Sequence, residues 1–120
     1  MKEGPILIKS KAFAIRIVNL YKFLTQEKQE YVLSKQILKS GTSIGANVRE
    51  AARAQSTADF VAKNNIALKE ADETCYWLEL LHETDYINDS EFDSIYVDVD
   101  ELIKLLVSIV KTTKQKKSNS

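Results

Sequence analysis

The chain is short of everything that breaks a helix or staples a fold. Its 120 residues include one proline, Pro5, and three glycines, Gly4, Gly41 and Gly45, so no such breaker occurs after Gly45. Long uninterrupted helices are therefore permitted. Alternating apolar and polar runs joined by turn dipeptides are missing, which argues against a hairpin-built β protein. The single Cys75 excludes an internal disulfide and suits a reducing compartment, where it serves as a small core residue. No apolar stretch approaches the ~20 residues needed to cross a bilayer. The apolar run Ile6-Leu7-Ile8 is too short for a secretory signal, and the expectation is a cytoplasmic protein without a membrane contact. At this length one domain can bury a real core without metals or disulfides.

What the chain has in abundance is helical periodicity. Phe13, Ile17, Leu20 and Leu24 recur at steps of four, three and four, with Ala14, Val18 and Tyr21 widening the stripe, and predict a first helix over about 8–26. Leu33, Ile37, Ile44, Val48 and Ala51 predict a second over about 29–54. Gly costs about 1 kcal/mol against Ala in a helix interior, so a break near Lys39–Ser43 is the alternative; the unchanged apolar phase on both sides of Gly41 favours one continuous helix. Ser56 and Asp59 have the spacing of an N-terminal cap and open a third helix over 57–84, carried by Phe60, Ala67, Ala71, Thr74, Leu78 and Leu81 and interrupted only by Asn64. Ser90 and Asp93 repeat the capping pattern before a fourth helix over 90–113, with Phe92, Ile95, Val99, Leu102, Leu106 and Ile109 on its seam. The Lys- and Ser-rich tail 114–120 is expected to fray. Four long segments with short links predict an all-α fold, one domain over 1–120 built as an antiparallel up-down-up-down four-helix bundle.

Three features bear on packing and assembly. Gly41 and Gly45 share one helical face, where a neighbouring backbone can approach closely; a bulky residue at Gly45 is expected to overpack that crossing. Ser43, Asn47 and Glu50 lie beside the apolar seam, and Lys69, Glu70 and Glu73 on the next helix are candidate partners for a hydrogen-bonded cluster that fixes register. A ligand pocket built on Asn47 and Glu50 is the alternative reading. The last helix is too apolar for one seam. Ile103, Val107 and Val110, with Leu105, extend its apolar surface, and Tyr76, Trp77 and Leu80 lie off the seam of the third helix. A surplus apolar face marks a partner, and self-association through Ile103, Val107 and Val110 is the expectation, against a wide intramolecular core.

Charge is balanced in total and divided in sequence. Ten basic and four acidic residues precede Ala54, three basic and thirteen acidic lie between Ala54 and Val110, and four basic residues follow. Lys35, Lys39, Arg49 and Arg53 form one stripe of about 27 Å on the second helix. Two uses are open. The stripe either positions phosphates of RNA or DNA without reading bases, or packs against acidic helices of its own chain or of a neighbour. Zero net charge gives little long-range attraction for a polyanion.

Catalytic residues are not legible. Glu79-Leu-Leu-His82 has the spacing used in di-iron bundles, but that site needs the motif from two helices and carboxylates from two more, whereas this chain has one histidine. Cys75 and His82 lack further Cys or His to complete a zinc shell. Burial of Cys75 beside Tyr76 and Trp77 raises its pKa, the wrong direction for a nucleophile. Gly41 and Gly45 follow no strand and lack the Lys-Ser/Thr ending of a phosphate loop. No enzymatic activity, metal, cofactor or small-molecule substrate is expected.

Two motifs carry a family resemblance. Ser43-Ile-Gly-Ala-Asn-Val-Arg-Glu50 resembles the Ser-Ile-x-x-Asn-Ile-x-Glu signature of bacterial 23S rRNA-intervening-sequence proteins, and Ile66-Ala-Leu-Lys-Glu-Ala-Asp-Glu-Thr-Cys-Tyr-Trp-Leu-Glu-Leu-Leu81 resembles a third-helix pattern in one branch of them. Ala51 departs from the Gly that many relatives carry after the motif Glu. The resemblance spans about Phe13 to Lys111. It implies a four-helix bundle assembling as a ring-like homopentamer with no established enzymatic activity. A related branch, the accessory variability determinant of diversity-generating retroelements, associates with a reverse transcriptase and nucleic acid.

Overall fold

The computed structural model describes residues 4–119, which form α1 (Pro5–Gln26), α2 (Leu33–Ala52), α3 (Thr57–Glu83) and α4 (Asp89–Asn119), with no strand among the described residues. Residues 1–3 and Ser120 of the expected 1–120 domain lie outside the described residues. Each helix touches two others in the cycle α1–α2–α3–α4–α1, and among the described residues neither diagonal pair is in contact. Partner positions run in opposite directions along neighbouring helices. Ser40 meets Thr74 while Glu50 meets Lys63, and Tyr96 meets Glu79 while Asp89 meets His82. The envelope measures 52 × 23 × 21 Å.

The apolar periodicity becomes the core. Phe13, Ile17 and Leu24 of α1, Ile37, Ile44 and Val48 of α2, Ala67, Ala71, Leu78 and Leu81 of α3, and Ile95, Val99, Leu102 and Leu106 of α4 are all buried in one cluster. Burial at roughly 1.5–3 kcal/mol per large side chain is the main force holding the four helices together. Helix α2 runs unbroken through Gly41 and Gly45. A methyl group at Gly41 would stand 2.7 and 2.9 Å from Ile17 Cγ1 and Cγ2. At Gly45 it would stand 3.4 Å from the Ser10 carbonyl oxygen, an ordinary contact with the α1 backbone. The tightest point of the crossing is therefore Gly41.

Helix ends differ from the sequence expectation at α1, which begins at Pro5 rather than about 8, and in three further places, each for a local reason. α2 begins at Leu33 rather than near 29, because Gln29 takes a left-handed conformation (φ 53°) and turns the chain. The buried Glu30 carboxylate then accepts from the backbone N–H groups of Val32, Leu33 and Ser34 at 3.2, 3.0 and 2.7 Å, satisfying donors that have no intrahelical partner. Ser56 caps α3, accepting the Asp59 N–H at 3.0 Å. The cap of α4, however, is Asn88 and not Ser90. Asn88 Oδ1 accepts from Glu91 N at 2.8 Å, and Asn88 N donates to Glu91 Oε1 at 2.9 Å, a reciprocal capping box. The turn before it closes in a Schellman pattern, with Asp85 left-handed (φ 67°), Tyr86 N donating to Leu81 O at 2.9 Å and Asp85 N to His82 O at 3.1 Å. Finally, the tail expected to fray from 114 is helical through Asn119. Its Lys and Gln residues favour helix, and Thr113 and Lys114 lie beside Val61 and Asn65 of α3, sharing one groove.

Burial alone would raise the Glu30 carboxyl, but the donations from Leu33, Ser34 and Val32 prevail and hold it below the usual carboxylate range. A depressed folded-state pKa stabilises above the unfolded value and is lost as pH falls through the folded one. Glu30→Gln is expected to cost about 0.5–2 kcal/mol at neutral pH and to flatten the acid dependence below the ordinary carboxylate range, measured by urea unfolding at neutral and acidic pH. For the crossing, Gly41→Ala is expected to lower stability by about 1–2 kcal/mol, overpacking against Ile17 exceeding the gain in helix propensity. Gly45→Ala is expected to be neutral or slightly stabilising. Equal melting temperatures for the two variants would contradict this placement of the contact.

Candidate interaction faces

Helix α2 packs on α1 through Gly41 and Gly45 and on α3 through Ser40, so its remaining face is turned away from the bundle. That face carries Lys35, Lys39, Arg49 and Arg53, all exposed. Among the described residues the ion pairs are Lys9–Glu101, Arg16–Asp98, Lys63–Glu50, His82–Asp89 and Lys104–Asp100. None uses a residue of the stripe. Among the described residues, therefore, no acid of the same chain pairs with the stripe.

The expected polar cluster between α2 and α3 does not form. Ser43 Oγ donates to the Lys39 carbonyl at 2.6 Å and Asn47 Nδ2 to the Ser43 carbonyl at 2.9 Å, each turned back on its own helix. Glu50 reaches α3 at Lys63, 3.4 Å away, and not at Lys69, Glu70 or Glu73. Lys69 is exposed, Glu73 accepts from Trp77 Nε1 at 3.3 Å, and the Glu70 carbonyl accepts from Thr74 Oγ1 at 2.8 Å. The cross-helix polar contact is instead between the buried hydroxyls of Ser40 and Thr74, 2.9 Å apart. Small residues on the seam bring the helices together there, and the longer polar side chains are displaced to its margins. One buried donor among the described residues, Asn64 Nδ2, has no partner.

The apolar surface on α4 is also redistributed. Val110 is 8 % exposed and belongs to the interior, because the continued helix runs beside the first turns of α3. Ile103 is half-buried against the core, and only Val107, at 46 %, remains open. Other exposed apolar residues are Val97 on α4, Ile66 and Tyr76 on α3, Ile8 and Ile15 on α1, and Tyr31 and Val32 between α1 and α2. Tyr76 is 55 % exposed, with its ring edge-on to Trp77 at 5.2 Å between centroids.

The groups considered for catalysis are dispersed. Glu79 accepts the Tyr96 hydroxyl at 3.2 Å, while His82 Nε2 lies 2.7 Å from Asp89 and its ring stacks on Phe92 at 4.3 Å. Burial pushes the Cys75 thiol up, Asp72, Glu79 and Asp100 add to the shift, and a hydrogen bond with Tyr96 offsets part of it. Burial likewise pushes the Tyr96 phenol up, reinforced by Cys75 and Glu79. Both remain protonated at neutral pH, which makes Cys75 a poor nucleophile. Among the described residues, no group of three or more His, Cys, Asp or Glu side chains is placed to hold a metal ion, and no helix is long and apolar enough to cross a membrane.

Surface grooves flank α1 on both sides. One, of about 460 Å³ against α4, is lined by Arg16, Phe23 and Ser94 among others. There Arg16 is already engaged, donating to Asp98 at 2.7 Å and to the Ser94 carbonyl and hydroxyl at 3.1 and 3.0 Å. Another, of about 440 Å³ against α2, has small residues Ser10, Ala14, Gly45 and Ala46 in its lining, together with Lys11, Arg49 and Arg53. Those three cations make no ion pair among the described residues. Lys11 escapes sequence reasoning because its contribution depends on the α1–α2 crossing, which no periodicity within α1 reveals.

No curated protein is significantly similar to the chain. A crystal structure of a protein of unknown function from the S23 ribosomal protein family of Bacteroides thetaiotaomicron VPI-5482 is similar at 63 % identity, covering 88 % of this chain and 95 % of that one with a TM-score of 0.88. The profile of the 23S rRNA-intervening sequence proteins matches residues 2–108. The chain belongs to the 23S rRNA-intervening sequence protein family.

Proposed function

We propose that this protein works by assembly: it is a non-enzymatic, cytoplasmic scaffold whose unit, an antiparallel up-down-up-down bundle, joins further copies in a ring, a pentamer by its family resemblance. The observation that carries the reading is the uncompensated outer surface. Among the described residues Lys35, Lys39, Arg49 and Arg53 make no ion pair, and apolar side chains stand exposed on α1, α3 and α4. Apolar surface rimmed by charge is the composition of an interface. Light scattering coupled to size exclusion is expected to give a mass above twice 13.6 kDa. A concentration-independent monomer would contradict the reading.

The same stripe supports a second reading, binding of RNA or DNA through phosphates, with a reverse transcriptase as the associated protein partner. Four exposed cations along about 27 Å match a backbone track. Reversing all four to Glu is then expected to abolish a gel shift seen at low salt, while the parent chain's affinity falls steeply with added salt. A parent chain that gives no shift at low salt would contradict this second reading.

A further inference from the structure

The groove between α1 and α2 and the outer face of α3 are complementary. The groove is concave because Ser10, Ala14, Gly45 and Ala46 in its lining are small and leave it unfilled. Lys11, Arg49 and Arg53 line it without an ion-pair partner among the described residues. On α3, Tyr76 projects into solvent, braced by Trp77. Asp72 and Glu73 lie one turn before it and Glu79 nearly one turn after, so an aromatic side chain stands in an acidic surround. A braced aromatic ring is the preferred anchor of a protein interface, having little entropy left to lose.

We propose that the groove between α1 and α2 is a socket for the Tyr76 ridge of a second copy of this chain. The inference rests on the assembly reading above and specifies which faces meet. Tyr76 cannot enter the groove of its own chain. α3 touches α2 and α4 but not α1, and the tyrosine is exposed on the outer side of α3. The contact is therefore heterologous, one face of each subunit engaging a different face of the next, and such contacts close into rings or continue as filaments. The helix register adds a constraint. Ser40 is level with Thr74, which places Tyr76 near Leu38, whereas the α2 lining of the groove runs from Thr42 to Arg53. The offset from groove centre is about 14 Å along the axis, so closure into a ring requires neighbouring bundles to be inclined to one another. The stripe is also divided: Arg49 and Arg53 belong to the socket, and Lys35 and Lys39 do not line it.

The test uses the full chain and light scattering coupled to size exclusion, with a circular-dichroism melt on every variant. Arg49→Glu with Arg53→Glu, and separately Asp72→Lys with Tyr76→Lys, are each expected to reduce the mass to the 13.6 kDa of one chain. Lys35→Glu with Lys39→Glu is expected to leave the assembly intact. Mixing the first two variants is expected to restore a multi-subunit species, because each reversed face then meets its complement. An oligomeric parent chain whose two interface variants both keep the parent mass would overturn this pairing of faces while leaving the assembly reading in place. A monomeric parent chain would overturn both. Should a reversal unfold the chain, Ala46→Cys and Asp72→Cys chains, which keep Tyr76, mixed under oxidising conditions provide the second measurement. A disulfide-linked mixed dimer, absent when either is oxidised with the parent chain, supports the pairing; no such link in an oligomeric sample overturns it.

Discussion

The α1–α2 crossing is the constraint from which the rest of the molecule follows. Ile17 occupies the space that a side chain at Gly41 would need, and Gly45 lies against the backbone of Ser10. This contact draws α1 and α2 together closely enough to seal the apolar seam formed by Phe13, Ile17, Ile44 and Val48. It also determines the exterior. With two small-residue faces meeting, the surface above them is a groove rather than a ridge, and Lys11 of α1 is brought beside Arg49 and Arg53 of α2.

Electrostatics acts on a second level. The cations of α1 nearest α4, Lys9 and Arg16, are matched by Glu101 and Asp98 at 2.8 and 2.7 Å. These pairs are about half exposed and contribute little stability individually, yet they lie where α1 and α4 meet and suit that register. Among the described residues the exposed cations of α2 have no such partners, and of the acids flanking Tyr76 on α3 Asp72 is exposed, while Glu73 and Glu79 are half-buried and accept from Trp77 and Tyr96. A chain of zero formal net charge thus carries opposite charges on separate faces, an arrangement that favours association with itself over long-range attraction to a polyanion.

The helical segments and most core residues are legible because radial position in a helix is written in its period. Ile17, Ile44, Leu78 and Leu106 are read as interior from spacing alone, and all are buried. What spacing does not encode is azimuth relative to a neighbour. Ser43 and Asn47 sit beside the seam as expected, but their side chains find a nearer acceptor in the preceding turn of their own helix than on α3. Val110 was expected at an interface because the last helix carries more apolar residues than one seam needs; it is instead buried within the bundle, 8 % exposed. The Glu30 cap is hidden for a different reason. Its carboxylate acts two to four residues ahead, directly after a left-handed Gln29 that no residue preference announces.

In the proposed pairing of faces a lysine of α1 meets carboxylates of α3 that belong to another copy, since α1 and α3 of one chain are not in contact. Zero-length carboxyl-to-amine cross-linking followed by peptide mass spectrometry reads this directly. The predicted result is a Lys11–Asp72 or Lys11–Glu73 link confined to covalent multimers of the oligomeric fraction. Multimers joined only through other residues, with Lys11 unlinked to the Tyr76 ridge, would contradict it.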